Sequence, residues 1–294
     1  MNMEVMEMQL YTALIADVKN SKTYDIIERN KIQLYIKDCI DVLNCIFNPK
    51  MERLVIFSGG DELQGLFSTT VSAYLYLRLL SLLLFPVQIR AGLGVGTWTV
   101  KVENGSSTEQ DGPAYHFARK AIEDVYGMQT QRYRIQGEKS DSLLNAILNA
   151  SYDLCSQQSY LQNFTMLLLE YMYPFTDETI INGDKFKALK NLIKGKYDNE
   201  IGLKGGKRLN SKNTGQIYRI NDSEMNVSDK IWISETGREF EEMLLKKGMA
   251  AKISRAIGTT RQNVDKMIKN GNIIAIRSLD LAAIKYILKT YEEN

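Results

Sequence analysis

Two carboxylates occupy positions that suit metal-assisted phosphate chemistry. Asp17 closes the apolar run QLYTALIAD at 9–17, and Asp61 lies in the glycine-rich turn SGGDE at 58–62. A lone carboxylate at the end of a buried strand is costly unless it has a partner or a ligand. If the two strands are neighbours, both carboxylates reach one edge of a sheet, where hard oxygen ligands hold Mg²⁺ or Mn²⁺.

Small and basic residues beside these acids extend the predicted phosphate site. Gly59 and Gly60 let the backbone approach a triphosphate closely, with N–H groups that can face it. Three polar residues follow the first strand where the chain turns into a helix, a position that suits phosphate oxygens: Lys19, Asn20 and Ser21. Aspartate is also favoured in tight turns for conformational reasons, so Asp61 has a purely structural alternative.

Hydrophobic periodicity predicts the elements that position these residues. After the first strand we expect a helix at 24–47, strands at 54–57 and 63–67, a helix at about 70–84, a strand at 87–98, a helix at 113–126 and a strand at 132–137. The order β-α-β-β-α-β is that of the ferredoxin-like split motif, a fold of the α+β class. Beyond residue 140 the pattern is helical.

The chain is expected to divide into three parts: a palm domain at 1–140, a helical connector at 141–180 and an all-α region at 181–294. The 37 Lys and Arg residues against 35 Asp and Glu exclude a uniformly basic surface. The basic residues are nevertheless clustered, with ten against two acids at 185–219 and seven against one at 246–270. Such clusters are typical of nucleic-acid contacts.

Other features exclude several classes of protein. Three cysteines without a CxxC spacing, together with a single histidine, argue against a zinc cage or a disulfide framework. The most apolar stretch, at 79–89, is too short to span a bilayer and is interrupted by Pro86. The N-terminus has no basic region of the kind that begins a secretory signal. We therefore expect a cytoplasmic protein with no membrane partner.

Four motifs resemble the class III nucleotidyl cyclase and GGDEF diguanylate cyclase superfamily in sequence, order and spacing. They are ALIADV at 13–18, FSGGDELQGLF at 57–67, IRAGLGVGTW at 89–98 and DGPAYHFARKA at 111–121. The whole chain resembles the SatD family, which pairs such a palm with a DNA-binding-like tail. The resemblance implies that Asp17, Asp61 and the Val18 carbonyl are metal ligands, with catalysis at Asp17 and Asp61 and a homodimer as the assembly.

The resemblance also implies roles for two further charged residues. Glu62 matches the second acid of the GGDEF signature, and Arg119 matches the catalytic arginine that steadies the triphosphate in the transition state. The predicted nucleotide contacts are completed by Ser58, Arg90 and Lys120. For Arg90 a cap on the sheet edge is an equal alternative, and for Arg119 and Lys120 simple surface charge is another.

The residues that would select the nucleotide differ from the cyclase pattern. Tyr115 occupies the place of the asparagine that orients the ribose, and the purine-reading acid falls near Thr108. Leu63 follows the GGDE sequence where the signature has phenylalanine. Base recognition therefore does not carry over from the family.

The segment AKISRAIGTTRQNVDKMIKNGNI at 251–273 has the layout of a helix-turn-helix. Gly258 makes the turn, and Thr259 or Thr260 caps the second helix. The predicted DNA contacts are Thr260, Arg261, Gln262, Asn263 and Lys266, all near the start of that helix. A second candidate at 186–220 adds phosphate contacts at Lys207, Arg208, Lys212 and Asn213. A surface hairpin without nucleic acid is the alternative.

Three functions fit these features. In the first, a palm that binds a metal ion and a nucleoside triphosphate or cyclic nucleotide biases the DNA-binding tail, giving a nucleotide-responsive transcriptional regulator. In the second, the palm is an active nucleotidyl cyclase or cyclic-oligonucleotide synthase that uses two metal ions. In the third, the chain is a structural or interaction protein with a degenerate palm. The regulator is favoured because the metal and phosphate groups are kept while the ribose and base positions are altered.

Overall fold

The computed structural model describes residues 9–19, 24–177, 183–202 and 220–292. Its first part contains β1 (Tyr11–Val18), α1 (Ile26–Phe47), β2 (Met51–Gly59), β3 (Glu62–Phe67), α2 (Thr70–Leu84), β4 (Ile89–Gly96), α3 (Pro113–Gly127) and β5 (Tyr133–Gln136). Its second part contains α4 (Ser142–Ser156), α5 (Tyr160–Met172), β6 (Phe175–Thr176), α6 (Gly183–Asp198), β7 (Ile231–Trp232), α7 (Phe240–Leu244), α8 (Met249–Ile257), α9 (Arg261–Asn270), α10 (Ile273–Ile287) and a π-helical turn, Leu288–Glu292. Six predicted contacts lie outside the described residues: Asn20, Ser21, Lys207, Arg208, Lys212 and Asn213.

The first five strands form one sheet in the order β2-β3-β1-β4-β5. Strand β1 is antiparallel to both β3 and β4, β2 is antiparallel to β3, and β5 is parallel to β4. The turn between β2 and β3 needs Gly60, whose φ of +63° lies in the left-handed region. A mixed α and β chain with its sheet in the first half is therefore confirmed.

Helices cover both faces of this sheet, and the alternation of side chains along β1 decides what each face contacts. Ala13 and Ile15 pack with the apolar side of α3. Leu14 and Ala16 belong to the larger core that includes α1 and α2. Asp17 follows in the same alternation as Ala13 and Ile15, so its side chain belongs to the α3 face.

Three alternate glycines of β4 let α3 lie directly on the strand. A Cβ atom on Gly94 would come within 2.0 Å of the Ala114 carbonyl oxygen and 2.1 Å of the Ala118 amide nitrogen. One on Gly92 would lie 2.4 Å from the Ala118 oxygen, and one on Gly96 would lie 2.9 Å from the Ala114 amide nitrogen. The glycine row therefore fixes the height and position of α3, and with it the side chains that α3 presents to the sheet.

A buried network of charges joins α2, α5 and α10. The Arg78 guanidinium donates to both oxygens of Glu170 at 2.6 and 2.7 Å and to Asp280 at 2.5 Å. Arg277, which is fully buried, also donates to Glu170. Burial alone raises the pKa of Glu170, but the Arg277 and Arg78 guanidiniums outweigh it and hold that pKa below its ordinary value.

The hydrophobic core runs without interruption through the three predicted parts of the chain. Its members include Leu14 from the sheet, Leu168 from α5 and Ile284 from α10. Residues on both sides of positions 140 and 180 contribute to this one core. The domain boundaries at these two positions therefore stay predictions from the sequence.

The region at 181–294 is not all-α, which corrects one expectation. Strand β7 pairs in parallel with β6, matching Phe175 to Ile231 and Thr176 to Trp232. The extended chain after α5 exposes backbone groups that need partners, and β7 supplies them: the Ile231 amide donates to the Pro174 oxygen at 2.9 Å. A strand of two residues is too short to leave a periodic signal.

Helix α2 is apolar on almost every side because it lies between the sheet and the helices of the second part. The apolar residues at its end, from Leu79 to Leu84, are thus explained by burial in protein. Among the described helices, none has the length and hydropathy needed to cross a lipid bilayer.

Replacing Gly94 with alanine should destabilise the fold by about 3 kcal/mol, because the new methyl group must displace helix backbone rather than a flexible side chain. Urea unfolding followed by circular dichroism measures the change. Gly127→Ala is the control, since a Cβ atom there meets nothing within 4 Å. Equal stability of Gly94→Ala and the wild type would contradict the close contact between α3 and β4.

Candidate functional site

A row of charged side chains crosses three neighbouring strands at one end of the sheet, on the face that α3 covers. The register of β1 with β4 pairs Asp17 with Arg90. The register of β1 with β3 pairs Ala16 with Leu63, so the next position places Glu62 beside Asp17. Two side chains of α3, Arg119 and Tyr126, lie over this row. We call Asp17, Glu62, Arg90, Arg119 and Tyr126 the charged row.

Asp17 has the partners that a buried strand end requires. Its Oδ1 accepts from Arg90 Nε at 3.0 Å, and its Oδ2 accepts from Arg90 Nη2 at 2.9 Å and from the Tyr126 hydroxyl at 3.1 Å. The Arg90 guanidinium also lies 4.4 Å from the centre of the Tyr126 ring. Burial, followed by the negative charge of Asp17, raises the pKa of Tyr126 to about 12.

Glu62 forms the second matched pair of the charged row. Its carboxylate accepts from both terminal nitrogens of Arg119, at 2.6 and 2.9 Å, and from the Ser58 hydroxyl at 2.7 Å. The hydrogen bond from Arg119 is the largest influence and lowers the pKa of Glu62, with burial opposing it and Ser58 adding to it. Both acids of the row are thus neutralised by arginine.

Asp61 lies apart from the charged row. It lines a small cavity beneath α1, together with Val18 and Tyr24. Gly59 and Gly60, beside it in the turn, face open space, since an added Cβ atom would meet nothing within 4 Å. The structure therefore places Asp17 beside Glu62 in register and pairs each with an arginine, whereas Asp61 lines a cavity against α1.

The charged row as arranged does not fit a resident metal ion. Across the described part of the chain, no group of three His, Cys, Asp or Glu side chains is placed to hold one. Both oxygens of Asp17 and of Glu62 already accept from guanidinium groups. The ligand set of Asp17, the Val18 carbonyl and Asp61 for Mg²⁺ or Mn²⁺ stays a prediction.

The sequence analysis does not predict a role for two residues of this region, Tyr126 and Arg132. Tyr126 lies seven residues after Arg119, a spacing that returns to the same face of a helix, so the signal was present. Arg132 precedes β5, and its carbonyl accepts from the Ala91 amide at 2.9 Å, which places it beside the start of β4.

Positive charge surrounds Lys19 at this end of the sheet. Burial has the largest effect in lowering the pKa of Lys19, and the charges of Arg132 and Arg90 lower that pKa further. Lys19, Arg90 and Arg132 thus gather positive charge at one sheet end.

The tail presents a second candidate site, on α8 and α9. Gly258 turns the chain between them with φ of +65°, and the Thr260 hydroxyl caps α9 by accepting from the Asn263 amide at 3.2 Å. Val264 is fully buried against α8, whereas Lys266 is exposed. The cap is therefore Thr260 rather than Thr259.

The remaining predicted contacts of α9 differ in exposure. Arg261 and Gln262 are exposed, and Arg261 lies 3.6 Å from Asp265 in a solvated pair. Asn263 is half-buried and donates to the Thr259 hydroxyl at 3.2 Å. The start of α9 thus offers Arg261, Gln262 and Lys266 to a partner.

The buried side of α9 rests on α5. The Thr165 hydroxyl lies 3.1 Å from the Met267 sulfur. At the end of the helix, Gln158 donates to the Gly271 oxygen at 2.7 Å. Helix α5, which carries Glu170, therefore packs against the side of α9 opposite its exposed residues.

The chain is thus an α+β protein with helices on both faces of a five-stranded sheet and a helical second part. Residues 11–180 match the profile of the SatD family. The chain belongs to that family, and the match covers the sheet, α4 and α5 but not the helices from α6 onward. No curated protein matches the chain.

The Glu62–Arg119 pair should make stability depend on pH. The folded-state pKa of Glu62 lies below its ordinary value of 4.5, so the pair stabilises the fold above that pH and the contribution is lost as the pH falls through the folded-state pKa. Glu62→Gln is expected to lower the free energy of unfolding at pH 7 by at most about 1 kcal/mol, because Arg119 is partly solvated.

Chemical unfolding of wild type and variant at pH 7 and at pH 3 measures this difference, which should shrink at the lower pH. Glu103→Gln, a change of an exposed carboxylate in the loop after β4, is the control and should show no comparable difference. A difference that stays constant between the two pH values would contradict the pairing.

Proposed function

We propose that the protein is a nucleotide-responsive DNA-binding regulator. The observation that carries this proposal is the exposed start of α9, where Arg261, Gln262 and Lys266 project from a helix that is capped, buttressed and preceded by a tight glycine turn. Two helices joined in this way, with polar side chains at the start of the second, match a helix-turn-helix that reads the major groove.

Charge supports DNA as the partner of this surface. Lys266 and Lys269 are exposed along α9, and Lys247 is exposed just before α8. Arg255 and Arg261 form solvated pairs with Glu224 and Asp265, which phosphate groups can replace because arginine binds phosphate in the same bidentate manner as carboxylate. Most of the binding energy would then depend on salt.

A nucleotide-binding role for the sheet rests on its topology and its arginines. The units β1-α1-β2-β3-α2-β4, with strand order β2-β3-β1-β4, correspond to the split βαβ arrangement of ferredoxin-like palm domains. Arg90 and Arg119 each hold a carboxylate through two nitrogens, a geometry that suits a phosphate group equally well. A nucleotide would therefore compete with Asp17 and Glu62 for these guanidiniums.

This arrangement favours the regulator over the cyclase. A two-metal cyclase needs free carboxylates, whereas Asp17 and Glu62 are both occupied by arginine, and Asp61 faces α1. Nucleotide binding through arginine needs no resident metal. Helix α5 contributes Glu170 to the buried network and supports α9.

The double variant Arg261→Ala with Lys266→Ala should lose at least about tenfold in affinity for duplex DNA at low salt, because both cations lie at the exposed start of α9. A gel-shift series on random-sequence duplex measures this. The control is Lys37→Ala with Lys101→Ala, which removes two exposed charges elsewhere. Unchanged affinity of the first variant, or an equal loss in both, would contradict the assignment.

The same assay, repeated with ATP or GTP and with or without Mg²⁺, examines the nucleotide role. We expect at least one nucleotide to change the affinity of the wild type for DNA and to have no effect on Arg90→Met. Formation of a cyclic product would instead favour the enzyme.

A further inference from the structure

A groove of about 930 Å³ lies at the end of the sheet remote from the charged row. Strand β1 pairs Tyr11 with Gly96 at this end and Asp17 with Arg90 at the other. Six residues of antiparallel strand separate the two ends by about 20 Å. The groove is therefore distinct from the charged row, and its size falls in the range of about 300–1,000 Å³ that is usual for small-molecule sites.

Apolar side chains from several elements line the walls of this groove. Val95 comes from β4, and Pro113 and Phe117 come from the start of α3. Leu10 and Leu143 also line it and remain 43% and 57% exposed. Exposed apolar side chains that converge on one concavity indicate a binding surface, since isolated ones are scattered over ordinary protein surfaces.

Asp141 gives the groove its charge. Its Oδ1 caps α4 by accepting from the Leu144 amide at 2.9 Å, and its Oδ2 lies 3.5 Å from the Tyr291 hydroxyl. The Asp141 carboxylate also raises the pKa of Tyr286. Within the described ranges Asp141 takes part in no ion pair, so its charge meets only neutral donors.

The rim adds little net charge to that of Asp141. Glu138 and Lys139 are both exposed there, and their charges offset each other. The inner surface thus combines one carboxylate with the rings of Phe117, Tyr286 and Tyr291. Aromatic faces and a carboxylate together attract a cation, because the ring quadrupole and the negative charge act in the same direction.

We propose that the groove binds an organic cation, a protonated amine on an aromatic or branched apolar body. The ammonium group lies against the Asp141 carboxylate, and the body lies against Phe117 and the apolar walls. An anionic ligand would be repelled by Asp141. A neutral apolar ligand would cover that carboxylate without pairing it, which is costly.

Three matched probes test the charge of the ligand: tryptamine, the neutral alcohol indole-3-ethanol and the anion indole-3-propionate. Isothermal titration calorimetry on the full chain at neutral pH is expected to show millimolar or tighter binding of tryptamine. The alcohol should bind at least about tenfold more weakly, and the acid more weakly still.

Asp141→Asn keeps a good helix cap and removes the charge, so the fold is retained while the preference for the amine over the alcohol should fall to about twofold. The control is Asp25→Asn, the same substitution at the cap of α1, which should leave the preference unchanged. Absence of tryptamine binding, equal affinity for the three probes, or an undiminished preference in Asp141→Asn would overturn the proposal.

Discussion

Four buried charges determine how this chain is assembled. Arg78 lies on α2, Glu170 lies on α5, and Arg277 and Asp280 lie on α10. Removing one member of such a network leaves its partner charged in a dry interior, which costs about 3–5 kcal/mol. The sheet, α5 and α10 therefore form one structural unit even though they come from distant parts of the sequence.

The two candidate sites depend on this assembly in different ways. The charged row is positioned by the contact of α3 with the glycines of β4, on the face of the sheet away from the network. The exposed start of α9 is positioned by α5, whose Glu170 lies within the network. A substitution in the network would thus affect the position of α9 through α5. The position of the charged row depends instead on the packing of α3 against Gly94.

Local pattern was sufficient to predict the elements from β1 to β5, because each has a strong periodic signal and clear turn residues. Partners distant in sequence were not predictable. The sequence marks Asp17 as a carboxylate that needs a partner, but its pairing with Arg90 joins residues 73 positions apart and depends on strand register. The network likewise joins residues 92 and 107 positions apart. Sequence also identified α9 and its exposed side chains, since a cap and a glycine turn are local features.

The most direct test of a single structural unit uses the two tryptophans, Trp98 after β4 and Trp232 in β7. In the single-tryptophan variants Trp98→Phe and Trp232→Phe, urea unfolding is followed by the remaining fluorophore and by far-ultraviolet circular dichroism. If the chain unfolds as one structural unit, the two signals give the same midpoint and slope within each variant. A Trp232 transition that precedes the loss of circular dichroism would contradict it.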